Sequence, residues 1–290
     1  MYIDMGKKHR YIARRICCVF MVFWIVTLTG CRSEVASSNK VGGYVHFSID
    51  DATQIFQEIT LKECKSIFEQ PTLKRLHKLH TTYGLKCTLY LYENIGEYNI
   101  AQMPDCYRKE FIENSDWLKL AFHGYNESNP EEEEFVRQQF KDSFKRVCAE
   151  IKRFAGEESL SQTLRLHYWY ATEEMVSFLK ENGVQAVLCP DNETLGYNLT
   201  EEESNLLNRS QNGILEGDLL YYKTDIRYES FEEVEKVFTQ REGDQIIVVF
   251  THAWCFDENI SKIEDSMEWF TDNGYQFTFL ENQEGIDGLK

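Results

Sequence analysis

Five short apolar runs, in order along the chain, each end in a polar residue of a type that catalysis and metal binding use. Each run has the length of a buried strand, and the residues that follow are carboxylates, imidazoles or a guanidinium. These residues are Asp50-Asp51, His123, Arg165 to Tyr168, Asp191 and His252. Because the carboxyl ends of parallel strands meet at one edge of a sheet or barrel, the pattern predicts an enzyme-like site at that edge.

Strand-like and helix-like segments alternate throughout the chain after residue 43. The strand candidates are 44–50, 85–92, 118–123, 163–169, 186–191, 219–224, 245–252 and 275–280. The helix candidates are 72–83, 130–154, 172–181, 230–240 and 261–271. This alternation predicts an α/β fold with mostly parallel strands, and seven or eight strands favour a distorted (β/α)7-8 barrel over an open sheet. No glycine-rich phosphate-binding motif follows the first strand, which excludes the simplest nucleotide-binding version.

The first 30 residues have the organisation of an export signal. A basic segment, 7–15, precedes an apolar run, 16–29, that is too short to span a bilayer comfortably. The run closes on Leu-Thr-Gly-Cys31, which resembles the lipobox of bacterial lipoproteins, where cleavage precedes a cysteine that then carries the lipid. We therefore expect lipidation at Cys31, a tether over 31–43, and an exported protein anchored to a bacterial membrane, on its periplasmic face or at the cell surface. An uncleaved anchor helix is the alternative.

The charge of the expected mature chain argues against nucleic acid as a partner. The full sequence has 31 Lys and Arg against 48 Asp and Glu, and the first 30 residues hold five of the former and one of the latter. The remainder therefore carries 26 minus 47, or −21. Such a chain is repelled by phosphate backbones and anionic lipid surfaces, whereas neutral glycans and cationic ligands remain open.

Six cysteines lie beyond Cys31, and their spacing argues against a structural zinc site. No two of them form a Cys-x-x-Cys pair, and a domain of this size does not need disulfides for stability. We expect most of them to be buried thiols.

The strand-end residues resemble the motifs of the polysaccharide deacetylases, the NodB-homology or carbohydrate esterase family 4 group. The matching segments are Phe47-Ser48-Ile49-Asp50-Asp51, His123, Arg165 to Tyr168, Asp191 and Thr251-His252-Ala253-Trp254. The resemblance covers about residues 44–282, which makes 44–290 a single domain. It implies a metal-dependent hydrolase that removes N- or O-acetyl groups from a carbohydrate through metal-activated water, with a divalent ion as cofactor and zinc as the expected metal.

The resemblance also implies roles for the first motif residues. Asp50 corresponds to the general base, held in place by Arg165, whereas Asp51 and His123 correspond to metal ligands. Since neighbouring residues on a strand point to opposite faces, Asp51 must lie where the strand turns if it is to share a site with Asp50. The alternative for Asp51 is an N-cap of a helix beginning at Ala52.

The segment after His123 departs from the family pattern. The second metal-binding histidine of the family falls on Glu127, a carboxylate that can ligate zinc or a harder metal, so Glu127 is expected to complete the metal site. Alternatively, Glu127 merely precedes the helix that begins near Pro130. The family has proline at His167, which is expected to bind substrate or lie at the rim, and an aromatic residue at Tyr168, whose backbone amide would help bind the oxyanion.

The last two motifs supply the expected acid and its support. His252 corresponds to the general acid that protonates the leaving group, and Asp191 to the carboxylate that orients it. The pattern around Asp191 is not intact, and an aspartate in a turn after proline is equally well explained by local structure. Trp254 is expected to stack on a sugar ring.

Two other functions remain open at this stage. The departures at Glu127 and around Asp191 favour a catalytically inactive surface lipoprotein that binds glycans with the same fold. A third hypothesis keeps the metal but changes the bond cleaved, as in a C–N hydrolase acting on a non-sugar amide.

Overall fold

The computed structural model describes residues 42–191, 196–210 and 213–281. The expected export signal, Cys31 and nearly all of the expected tether lie outside these residues, so the expectations about them stay predictions.

The described residues alternate between strands and helices, as predicted. The strands are β1 (Gly43–Asp50), β2 (Cys87–Tyr92), β3 (Asn94–Ile95), β4 (Tyr98–Asn99), β5 (Leu118–Gly124), β6 (Thr163–Leu164), β7 (Ala186–Cys189), β8 (Ile214–Glu216), β9 (Leu219–Lys223), β10 (Ile226–Arg227), β11 (Ile246–His252) and β12 (Tyr275–Phe277). The helices are α1 (Thr53–Leu61), α2 (Pro71–Tyr83), α3 (Arg108–Glu113), α4 (Glu134–Phe154), α5 (Glu173–Glu181), α6 (Glu201–Arg209), α7 (Val234–Phe238) and α8 (Phe256–Asp272).

Two mostly parallel sheets carry the fold. The larger has the order β10-β11-β1-β2-β5 with β12 also on β1, and all of its pairings are parallel. The smaller has the order β6-β7-β9-β8, in which only the β8–β9 pair is antiparallel. A single parallel bridge, Leu120 to Leu160, extends from β5 toward the smaller sheet. The predicted α/β class with mostly parallel strands is confirmed, while the described strands form these two sheets and a small antiparallel pair, β3–β4, and not a closed barrel.

All eight strand candidates contain a strand, but several predicted elements are shorter than expected, two of them by more than half. The candidate 163–169 is a strand only in β6 and then turns into a 3-10 segment, His167–Trp169. The helix expected over 230–240 is reduced to the five residues of α7. In the first case the cause is the backbone of Tyr168 and Trp169, whose φ angles of 55° and 52° cannot continue a strand.

The central strand β1 is buried on both of its faces. Val45, Phe47 and Ile49 point to one face, whereas His46, Ser48 and Asp50 point to the other. All six side chains are buried. In a parallel sheet covered on both sides, such a near-continuous buried strand is the expected pattern. The register pairs the last residue of β1 with the last residue of β11, so Asp50 and His252 are neighbours at one edge.

Within 42–191, 196–210 and 213–281, none of the helices combines the length and the apolar character needed to cross a bilayer. The six described cysteines are free thiols. Cys87, Cys189 and Cys255 are buried as predicted, whereas Cys64 and Cys148 are half-buried and Cys106 is exposed.

Candidate active site

The end of β1 turns both acidic residues toward one site. Asp50 is the last residue of the strand and is buried, and Asp51 follows it with a φ of 56° in the left-handed region. This φ ends the alternation of side chains along the strand at Asp51. Such a turn is what the two carboxylates need in order to face the same site. Helix α1 has Ala52 at its N-cap position with no side-chain cap, so the alternative of Asp51 as a helix cap is wrong.

Arg165 holds the carboxylate of Asp50. Its guanidinium is 1% exposed and lies 3.3 Å from Asp50 Oδ1, and it also donates to Ser48 Oγ and Thr224 Oγ1. The guanidinium lies over the ring of Phe250 at 4.0 Å from its centroid. With its orientation fixed by these partners, Arg165 fixes the carboxylate in turn.

His123 lies at the end of β5 and faces Asp51. Its Nδ1 lies 2.5 Å from the carbonyl oxygen of Arg165, and a carbonyl accepts only, so Nδ1 carries the proton. The other ring nitrogen, Nε2, lies 3.3 Å from Asp51 Oδ1. A backbone acceptor behind one nitrogen is the usual arrangement for a histidine that ligates through the other.

The third donor in this cluster is His167 and not Glu127. The nitrogens of His123 and His167 and a carboxylate oxygen of Asp51 lie within 4.8 Å of one another. Glu127 is exposed, and its backbone carbonyl accepts a hydrogen bond from His167 Nε2 at 3.1 Å. The Glu127 side chain is thus not one of these three donors, because the turn at Tyr168 and Trp169 brings an imidazole there, and its role as a ligand stays a prediction.

No sequence motif indicated a role for Tyr92, which ends β2 inside this cluster. Its hydroxyl lies 2.6 Å from Asp51 Oδ1, to which it donates, and 2.6 Å from His167 Nδ1. Because Nε2 of His167 donates to the Glu127 carbonyl, Nδ1 of the neutral ring is an acceptor and competes with Asp51 for the single hydroxyl proton. The signal was available, because Tyr92 also ends a predicted strand, but a tyrosine after an apolar run is usually part of the core.

The charges within the cluster suit a bound cation. Burial alone would raise the pKa of Asp51, but hydrogen bonds from His123 and Tyr92 and the charge of His123 lower it far below its usual range. Burial alone would lower the pKa of His123, but the hydrogen bond to Asp51 and the charges of both aspartates raise it. Burial, with the charge of His123, lowers the pKa of His167 to about 4, so this ring is neutral at neutral pH. A metal ion would replace the proton that His123 shares with Asp51.

One carboxylate and two imidazoles are a donor set that Zn²⁺ and similar ions accept, with positions left for water and substrate. His123 Nδ1 and His167 Nε2 each bond to a backbone carbonyl, so His123 Nε2 and His167 Nδ1 are the nitrogens that would face the ion, and His167 Nδ1 would then give up its contact with the Tyr92 hydroxyl. The residues present therefore fit a catalytic metal site.

His252 is supported by Glu229 and not by Asp191. Glu229 Oε1 lies 3.5 Å from His252 Nδ1 and accepts hydrogen bonds from the His252 backbone N–H at 2.9 Å and from Thr251 Oγ1 at 2.6 Å. Burial would raise the pKa of Glu229, but the bonds from His252, Cys255 and Thr251 lower it far below its usual range. The pairing predicted for Asp191 is thus made by Glu229, which follows β10 in a segment where the sequence showed no strand end.

Two exposed aromatic side chains border the site. Tyr168 is 53% exposed beside His167, and Trp254 is 60% exposed beside His252, with ring centroids 5.2 Å apart in the latter pair. Trp254 Nε1 also donates to Asp51 Oδ2 at 3.0 Å. The positions expected to contact a sugar therefore lie at the rim of the cluster and are open to solvent.

A small cavity is lined by His123 and His167 together with Val136, Phe140 and Met175. Its volume is about 20 Å³, which is room for about one water molecule and too little for an acyl group.

No protein-family model matches the sequence, and no curated protein matches it significantly. Solved structures do match. A 4-alpha-glucanotransferase from Thermococcus litoralis is 11% identical with a TM-score of 0.53, over 83% of this chain and 40% of that one. The fold is shared. This chain thus spans less than half the length of that structure.

Two further matches come from the family that the sequence motifs resemble. A protein from Mycobacterium smegmatis assigned to the polysaccharide deacetylases is 12% identical over 81% of this chain and 86% of that one, with a TM-score of 0.49. A family 4 carbohydrate esterase from Streptomyces lividans, in complex with acetate, is 12% identical over 84% and 96%, with a TM-score of 0.42. Solved structures of the predicted family are thus among those similar to this chain, and the likeness is one of fold.

Proposed function

We propose that this protein is a metal-dependent hydrolase that removes acetyl groups, bound through nitrogen or oxygen, from a carbohydrate. One observation carries the proposal: the Asp51, His123 and His167 donors converge beside a buried Asp50–Arg165 pair and a His252–Glu229 pair. A metal site flanked by a fixed carboxylate and a fixed imidazole is what hydrolysis of an amide or ester requires.

Asp50 is the proposed general base. Asp51, His123 and His167 would hold a divalent ion, which when bound would supply polarisation of the acyl carbonyl and a water of lowered pKa. Asp50 lies next to Asp51 as the group that takes up a proton from water, and Arg165 keeps its carboxylate in position.

His252 is the proposed general acid. It neighbours Asp50 across the β1–β11 pair, so the two groups approach the scissile bond from adjacent strands. Glu229 Oε1 lies 3.5 Å from Nδ1 of this ring, so Nε2 is the nitrogen proposed to protonate the leaving amine or alcohol.

A carbohydrate is the proposed substrate because the rim offers flat aromatic surfaces and the chain is strongly acidic. Trp254 and Tyr168 are exposed at the rim, where a sugar face can stack on them. The expected mature charge of −21 disfavours polyanions.

Acetate release from acetylated chito-oligosaccharides and acetylated xylo-oligosaccharides, measured with added Zn²⁺ or Co²⁺, tests the proposal. Asp50→Asn keeps the shape of the side chain and removes the base, so kcat should fall by about 10²–10⁴-fold. Asp191→Asn is the matched control at another strand end and should keep its activity.

No acetate release from either glycan by the metal-loaded protein would refute the proposal. Turnover of non-sugar acetamides alone would change the substrate class and keep the metal site. Glycan binding without turnover, unchanged in Asp50→Asn, would leave a binding protein.

We also propose that the enzyme works at a bacterial membrane, because the sequence predicts lipidation at Cys31. Cys31→Ala should move the expressed protein from the membrane fraction to the soluble fraction, and an unchanged distribution would contradict the anchor.

A further inference from the structure

A second cluster of metal-ligating side chains lies on the opposite side of His252 from the first. Glu229, His252 and Cys255 each offer a donor atom, and these atoms lie within 4.8 Å of one another. Cys255 Sγ is 2.7 Å from Glu229 Oε1, and His252 Nδ1 is 3.5 Å from the same oxygen. Among the described residues, this cluster and the Asp51–His123–His167 cluster are the two that bring three such donors together.

The short 3-10 turn after β11 builds the cluster. This turn, Ala253–Cys255, brings Cys255 Sγ to 3.5 Å from the carbonyl oxygen of His252, and Cys255 is 2% exposed. Glu229 approaches from the segment after β10, where its Oε1 accepts from the Thr251 hydroxyl and the His252 backbone N–H. These hydrogen bonds and the turn hold the donors close together, and none of the three residues is exposed.

His252 Nδ1 is the independent sign that this cluster is built for a ligand. The atom is buried from solvent and makes no hydrogen bond of good geometry with any described group, although Glu229 lies 3.5 Å away. A buried ring nitrogen without a proper partner costs stability, and a cation coordinated by Nδ1 would satisfy it.

We propose that Glu229, His252 and Cys255 form a second metal site, selective for a cation that accepts sulfur. Thiolate, imidazole and carboxylate together are typical ligands of Zn²⁺ and Co²⁺, whereas Mg²⁺ and Ca²⁺ prefer oxygen alone. Binding breaks the Cys255 S–H bond and forms a metal–sulfur bond, and the proton goes to solvent. Glu229 then contributes Oε1 to the cation in place of accepting from the thiol.

Occupation of this site controls the availability of His252. A cation on Nδ1 occupies the nitrogen that Glu229 otherwise supports, so the ring can no longer take up and release a proton as an acid. Excess Zn²⁺ is therefore inhibitory, while the first equivalent fills the cluster at Asp51. The second site itself does not depend on the proposed function, because it rests on these three side chains alone.

Cobalt(II) titration of the purified protein distinguishes the two sites, since only the second contains sulfur. Coordination by Cys255 produces a thiolate-to-cobalt charge-transfer band in the near ultraviolet, and the first site gives no such band. We expect the band in the native protein and in Asp51→Ala, its loss in Cys255→Ser, and its retention in Cys148→Ser, which alters another thiol of low exposure.

A native protein that shows no charge-transfer band at saturating Co²⁺ would overturn the proposal, and so would a band that survives in Cys255→Ser. The titration of the native protein tests the proposal even if Cys255→Ser does not fold. Near-ultraviolet circular dichroism without metal checks that the variant is folded. Loss of acetate release with the band intact would count against the proposed function alone.

Discussion

The exchange of Glu127 for His167 as third ligand gives the sharpest prediction about the first metal site. His167→Ala removes one of three donors and leaves Asp51 and His123 in place. Glu127→Ala removes only an exposed carboxylate, because the group that positions His167 is the Glu127 backbone carbonyl, which every substitution except proline leaves essentially unchanged. The two variants should therefore differ widely in metal affinity.

The expected difference follows from the contacts. Loss of a hydrogen-bonding group behind a metal ligand costs about 10–100-fold in affinity, so loss of the His167 ligand itself should cost at least about 100-fold. That factor corresponds to about 2.8 kcal/mol. Glu127→Ala should stay within the roughly 0.5 kcal/mol of an ordinary surface substitution, or about twofold in Kd.

Competition for Zn²⁺ with a chromophoric chelator measures both affinities. Using Cys255→Ser as the parent for both variants removes the proposed second site from the titration. Thermal unfolding without metal should show both variants folded. A Glu127→Ala variant that loses 100-fold in affinity, while His167→Ala keeps the parental value, would refute the assignment of the ligands.

The remaining predictions concern Glu229 and Asp225. Glu229→Gln removes the anion beside His252 and should lower kcat by about 10²-fold, which is the lower end of a general acid's contribution. The control Glu232→Gln, at an exposed position, should keep the kcat of the native protein. Equal activity in both variants would contradict the role of Glu229. Burial raises the pKa of Asp225 to about 6, despite the hydrogen bond from the Val248 N–H and the charge of Arg241. The folded state therefore favours protonated Asp225. Its contribution to the free energy of unfolding is fully present below about pH 4 and is lost as the pH rises through about 6, a change of about 3 kcal/mol. Urea unfolding of Asp225→Asn should lack this decline, and an identical pH dependence in both proteins would contradict it.

The sequence predicted those residues of the site that lie at the ends of strands. Asp50, Asp51, His123 and His252 each follow an apolar run, and parallel strands bring such ends together regardless of the details of the loops. The requirement that Asp51 lie at a turn also followed from strand geometry, and its φ of 56° meets that requirement.

The part of the site that differs from the prediction depends on loop conformation and not on strand ends. His167 reaches the metal cluster because Tyr168 and Trp169 adopt left-handed φ angles, which residues of their type seldom do and which nothing in the sequence indicates. Glu229 follows a strand of two residues, too short to show any alternation. In both places, the prediction assigned the role to a residue at the family's position, and the chain supplies it from another segment.

These two replacements bear on whether the protein turns over a substrate or only binds one. The case for an inactive protein rested on the missing histidine at Glu127 and the broken pattern around Asp191. In the structure, an imidazole and a carboxylate occupy both roles, from His167 and Glu229. The site also contains buried charges that contribute little to the stability of the fold. A buried ion pair such as Arg165–Asp50 is often less stabilising than apolar residues of the same volume. Stability alone therefore does not explain why buried charges and three left-handed residues, Asp51, Tyr168 and Trp169, are gathered at one edge of the sheet, whereas the proposed metal-dependent hydrolase would use them there.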